Sequence, residues 1–73
     1  MDEIRNGKGT VIGYIRGMIG NIEVETLEHN VVGRVSFDGT YDAYGRKISS
    51  TRDPMILYGA LSEAYARNHF TGM

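Results

Sequence analysis

Glu25, Glu28 and His29 form the densest group of chemically capable side chains in the sequence, with Asp38 and Asp42 further on. A histidine among carboxylates can ligate a divalent metal, but zinc and iron sites use a second histidine at short spacing. The one other histidine, His69, lies near the far end of the chain. The group therefore reads as a solvated acidic strand face, with no metal or other cofactor implied. Gly7-Lys8-Gly9-Thr10 has the residue types of a phosphate loop, but a Walker loop places Gly-Lys-Ser/Thr after a strand and before a helix. Here a strand pattern follows, so the segment reads as a turn. The serines are Ser36, Ser49, Ser50 and Ser62, and none sits in a Gly-x-Ser-x-Gly elbow. No catalytic residue is assigned.

Arg34, Arg46, Lys47 and Arg52 cluster near Tyr41 and Tyr44. Cations interleaved with aromatics on a small sheet can bind single-stranded nucleic acid by phosphate contacts and base stacking. Asp38, Asp42 and Asp53 lie in the same stretch, and the whole chain carries a net charge of −1. A mixed, solvated face is the better reading of these four residues, with nucleic-acid binding second.

The elements that must position these groups come from 73 residues, enough for one domain, 1–73, with a shallow core. Cysteine is absent, which excludes disulfides, thiolate-bound zinc and thiol catalysis. A domain this small without staples is expected to lean on partner chains. The first residues lack a basic start and an apolar run, and the longest apolar stretch is Met55-Ile56-Leu57. Neither a secretory leader nor a membrane span is expected, and the chain reads as cytoplasmic.

Pro54 divides two textures. Before it, over about 10–51, lie short β-like runs cut by glycine; after it, over about 53–69, comes helical spacing. Four strands are expected: Thr10–Arg16, Ile19–Thr26, Val31–Phe37 and Arg46–Ser50. In the second, Ile22, Val24 and Thr26 alternate with Glu23 and Glu25, which predicts a half-buried strand with both glutamates in water. Asp38-Gly39 signals a two-residue hairpin. The glycines inside the first and third strands predict a bulge, a bend or close backbone approach. Asp53 suits a helix cap and Pro54 the first helical position. Leu57, Ala60, Leu61, Ala64 and Tyr65 then make one apolar stripe, with Glu63 and Arg67 paired on another face. Gly59 is expected to allow close packing of the helix, and Tyr58, Tyr65 and Phe70 to cover the sheet or a partner chain. The helix is expected to fray over Asn68 to Gly72.

Val11-Ile12-Gly13-Tyr14-Ile15 and Val31-Val32-Gly33-Arg34-Val35 share one pattern, and Lys47-Ile48-Ser49-Ser50-Thr51 is a degraded third copy. Two copies follow similar turns, Asn6-Gly7-Lys8-Gly9 and Asp42-Ala43-Tyr44-Gly45, in which Asn or Asp bonds its own backbone and Gly supplies positive φ. Before the middle copy stands Glu28-His29-Asn30, with Asn30 expected in the left-handed position. A unit of this size cannot bury its own apolar face and gains stability by packing on its neighbours. The unit Tyr41-Asp42-x-x-Gly45-x-x-Ile48, with the runs at 11–15 and 31–35, resembles the small four-fold β-flower proteins. Those chains repeat a turn-plus-strand unit about a pseudo-symmetric axis. The resemblance spans about residues 4–51; the chain departs from it in showing three copies and a helical last third. It implies an arrangement of strands and carries no activity or binding residue.

The sequence thus predicts an α+β fold, a small β-rich module followed by one C-terminal helix. The expected function is a non-catalytic structural or interaction module that forms a homo-oligomer through Leu57, Leu61, Ala64 and Tyr65. The alternatives are a nucleic-acid binder using Arg34, Arg46, Lys47 and Arg52, and an enzyme or ligand binder whose pocket forms between subunits.

Overall fold

A computed structural model describes residues 2–18 and 20–70. Its sheet has six strands: β1 (Asp2–Arg5), β2 (Val11–Met18), β3 (Asn21–Thr26), β4 (Val31–Ser36), β5 (Gly39–Asp42) and β6 (Lys47–Ser49). Every strand pairs antiparallel with its chain neighbours, in the order β1-β2-β3-β4-β5-β6. A 3-10 turn, Pro54–Leu57, leads into helix α1 (Tyr58–Phe70), and both lie on one face of the sheet. This is the expected small α+β module. No helix among the described residues is long and apolar enough to cross a membrane.

Two strands went unread in the sequence. β1 precedes the expected start of the module, and β5 occupies the stretch assigned to turns. The hairpin between β4 and β5 turns on Phe37-Asp38, one residue earlier than the Asp-Gly signal implies. Gly39 begins β5 at φ 150°, paired with Ser36, and its Cα lies so close to the Ser49 carbonyl that no Cβ would fit. The expected start of β3 at Ile19, the role of Phe70 and the fraying at Gly72 lie outside the described residues and side chains.

The three turns at one end of the sheet are built alike. In the first, the Asn6 side chain accepts from the backbone N–H groups of Lys8 and Thr10 at 2.9 and 3.0 Å, and Gly9 takes φ 81°. In the third, Asp42 accepts from Tyr44 and Arg46, both at 2.9 Å, and Gly45 takes φ 83°. In the middle turn Thr26 accepts from Asn30 at 3.1 Å, and the left-handed residue is His29 at φ 69°, not Asn30. Each turn is followed by a register slip that leaves one extra residue in the outgoing strand: Ile12, Val32 and Ile48.

The interior glycines of β2 and β4 are seats for leucines. A Cβ at Gly13 would stand 2.6 Å from Leu61 Cδ1, and one at Gly33 would stand 2.5 Å from Leu57 Cδ2. Leu57 and Leu61 are four residues apart, one helical turn, and so reach glycines on alternate strands. With Ile4, Ile12 and Val24 they form the core, each buried, and Ile15, Val32, Tyr58 and Tyr65 close its margin. Burying a side chain of this size is worth roughly 1.5–3 kcal/mol. Asp53 caps the 3-10 turn by accepting from the Met55 N–H at 3.0 Å. The crossing from sheet to helix is held by buried Thr40, whose hydroxyl donates to the Thr51 carbonyl at 2.6 Å. Ala60 and Gly59 face outward, and no neighbour lies within 4 Å of a Cβ built at Gly59, so this glycine serves no close contact.

Candidate functional site

The register puts two charged rows on the face that carries no helix. Arg16, Glu23, Arg34, Tyr41 and Lys47 are successive cross-strand partners, and Glu3, Tyr14 and Glu25 form the adjacent row. Signs alternate over Arg16, Glu23 and Arg34, and the remaining charges find partners beside the rows. Arg34 pairs with Glu23 at 3.9 Å and Lys47 with Asp38 at 3.9 Å, while Arg5 pairs with Glu3 at 2.7 Å. Tyr41 donates its hydroxyl to Asp38, whose carboxylate favours the protonated phenol and raises its pKa.

Glu25 departs from the expected solvated face: its side chain is 3% exposed. Its carboxylate lies 3.2 Å from the Arg16 guanidinium and 3.0 Å from His29 Nδ1. A carboxylate can only accept, so Nδ1 carries the hydrogen and Nε2 is left for outside contacts. Tyr14, the cross-strand partner of Glu25, stacks on the His29 ring with centroids 5.4 Å apart. The bond from His29, followed by the bond and charge of Arg16, outweighs desolvation and holds the Glu25 pKa below its ordinary value. Both carboxylate oxygens are engaged, so the group is shielded and stabilised by three side chains rather than by depth in the fold. His29 makes this arrangement from a backbone conformation that the sister turns give to glycine; the left-handed strain supports its placement over Glu25.

The metal-ligand set separates in three dimensions. Glu28 turns to α1, within 3.4 Å of the Asn68 amide and 3.6 Å of His69 Nε2. Asp38 bonds Tyr41, and Asp42 is taken up by its own turn, where N–H groups and Arg46 lower its pKa. No group of three or more candidate metal-ligating side chains forms among the described residues.

The four cations of the expected nucleic-acid patch are also divided. Arg34 and Lys47 flank Tyr41 on the helix-free face. Arg46 sits in the last turn, bonded to Asp42 at 2.9 Å and lying over Tyr44 at 5.4 Å. Arg52 stands at the opposite end, donating to the Ser36 carbonyl at 3.0 Å over the Phe37 ring. Three are matched to carboxylates and the fourth to a carbonyl, so the patch presents little unbalanced charge.

The apolar stripe expected to meet a partner covers the chain's own sheet instead. Leu57 and Leu61 are 1% and 0% exposed, and Ala64 and Tyr65 are half-buried beside them. Two glycines in alternate strands make room for the leucines, and that accommodation is why the stripe turns inward. Beside it an open cleft of about 370 Å³ runs between the Asn6–Thr10 turn and α1, floored by Ile12 and flanked by Lys8 and Ser62.

What stays uncovered is the β6 end. The helical layer spans β2 to β5: α1 packs on β2 and β3, and the 3-10 turn on β3, β4 and β5. Ile12 and Val32 lie beneath it, whereas their counterpart Ile48 is 48% exposed. Phe37, Tyr44 and Met55 are exposed as well. Sequence spacing held the signals for both findings: Thr26-x-x-His29 aligns with Asn6-x-x-Gly9, and Ile48 aligns with Ile12. Neither alignment says which positions the helix will cover. No known family model, curated protein or solved structure matches this chain.

Proposed function

We propose that this chain is a non-catalytic interaction module that assembles with copies of itself, using the β6 end of its sheet. The observation that carries the reading is Ile48: its counterparts are the core residue Ile12 and Val32, packed at the core's margin, whereas Ile48 itself is 48% exposed. An exposed edge strand beside an uncovered aliphatic side chain is a template for a further strand. The paired cations and the inward-facing stripe support this surface over the nucleic-acid patch and over the stripe itself. The likeness of the three turn-and-strand units supports an internal repeat of the β-flower kind, with Ile48 in its last copy. The module is read as working in the cytoplasm, which suits its cysteine-free sequence.

Sedimentation velocity tests the reading. The chain is expected to sediment as a dimer or larger species at micromolar concentration, and Ile48→Lys is expected to shift it toward monomer. Ile48 is half exposed, so this variant should keep the parent melting temperature to within a few degrees. A compact monomer of the unaltered chain at about 100 μM would refute the proposal.

A further inference from the structure

We infer that the cleft between the Asn6–Thr10 turn and α1 is a binding site for a small organic acid, a carboxylate carried on a short apolar body. The site goes beyond the assembly reading and does not depend on it, since β6 lies at the far edge of the sheet. The cleft has a volume of about 370 Å³, with Ile12 as its floor and Tyr65 and Ala66 on its helical wall. That volume is at the small end of ligand pockets and suits a metabolite-sized molecule.

Its polar groups include donors without an acceptor. The Asn6 side chain accepts from the N–H groups of Lys8 and Thr10, and the Asn6 carbonyl from that of Gly9, so the turn leaves the Gly7 N–H unbonded. The Lys8 ammonium and the hydroxyls of Thr10 and Ser62 also have no partner among the described residues. Lys8 is the one cation among those residues with neither an ion pair nor a side-chain hydrogen bond.

The sister turns show what Lys8 lacks. Its equivalents are Glu28 and Tyr44, and Glu28 reaches α1, where it meets Asn68 at 3.4 Å and His69 at 3.6 Å. Lys8 shares its cleft with an earlier stretch of the same helix, where Ser62, Tyr65 and Ala66 offer no counter-charge. Glu63, next to Ser62 in sequence, is bonded to Arg67 at 2.8 Å, and Arg5 beside the turn is bonded to Glu3. An anion entering the cleft supplies the missing charge. A single cation matches a monoanion, which favours a carboxylate over a phosphate dianion, and the apolar floor favours an acid with a hydrocarbon body.

Amide NMR of the chain titrated with hydrocinnamate tests the site. The amides of Gly7, Lys8, Thr10, Ser62 and Ala66 are expected to shift together, with a dissociation constant on the order of 1 mM. The corresponding alcohol and inorganic phosphate each lack one half of the match and are expected to bind roughly fivefold more weakly or worse. Lys8→Gln is expected to weaken the acid about fivefold, the size of one solvent-exposed charge-assisted bond. Ser62→Glu sets a carboxylate against Lys8 and is expected to remove binding. Lys8 is exposed and Ser62 half-buried, and circular dichroism of both variants controls for folding. The site is overturned if these amides stay still at about 20 mM acid, or if the alcohol or phosphate binds as tightly. Unchanged affinity in Lys8→Gln, or binding that survives Ser62→Glu, overturns it equally.

Discussion

Replacing Gly33 by alanine places a methyl group where the fold has seated Leu57. The new Cβ would stand 2.5 Å from Leu57 Cδ2, 2.8 Å from its Cδ1 and 2.5 Å from the Tyr41 carbonyl oxygen, where ordinary contact begins at 3.4 Å. Leu57 is 1% exposed and has little room to retreat, and the carbonyl belongs to the backbone of β5. Overpacking of this kind costs about 3 kcal/mol at the upper end of its usual range. Alanine returns roughly 0.5–1 kcal/mol through its lower backbone entropy in a strand, which leaves a net loss near 2 kcal/mol. A chain of 73 residues has a total stability of about 4–10 kcal/mol, so this is a large share of it. The melting temperature followed by circular dichroism should fall by about 10–15 °C. Gly33→Ala in Leu57→Ala should cost less than in the parent, because the truncated side chain vacates part of the space. A Gly33→Ala chain melting within about 3 °C of the parent would refute the glycine-seat account of how the helix is positioned.

Gly9→Ala and Gly45→Ala meet no neighbour within 4 Å but require alanine at φ near 80°, so each should lower stability by about 1 kcal/mol in thermal or urea melts. Gly59→Ala, equally open but helical, should raise it by about as much, and a loss there would refute the outward placement of Gly59. Removing the imidazole in His29→Gly takes away the leading cause of the low Glu25 pKa, so the Glu25 carboxyl titration followed by carbon NMR should move upward. An unchanged midpoint would mean that His29 does not hold this carboxylate. Stability should depend on pH through the same groups. Glu25 and Asp42 have folded pKa values below their unfolded ones, so their contribution is present above the ordinary carboxylate range and is lost as pH falls through the folded values. Tyr41 is raised, so its contribution is complete below the ordinary phenol range and is lost as pH climbs through the folded value; acid and alkaline melts check both limbs.

Local features were legible in the sequence because local chemistry determines them. Asp53 and Pro54 start the helical segment, Asn6 and Asp42 organise their turns with Gly9 and Gly45 left-handed, and Glu63 and Arg67 pair at 2.8 Å. The α+β architecture follows from the change of texture at Pro54. What the spacing could not state is which groups meet across strands. Alternation put Glu25 in water, yet its partners come from two other segments: Arg16 on β2, and His29 beyond the strand end, bent back by a left-handed backbone. The stripe around Leu57 and Leu61 is apolar by its spacing alone, but only packing decides that glycines on β2 and β4 receive it. Three of the four cations gather around Tyr41 and the last turn, whereas Arg52 lies at the opposite end, because β6 carries the chain along the sheet between Arg46 and Arg52. Ile12, Val32 and Ile48 occupy like positions in like sequence, and their burial differs because the helical layer stops short of β6. Turns and caps are settled by contacts within a few residues; burial, pairing and exposure depend on how far one element reaches over another, and that length is a property of the folded chain.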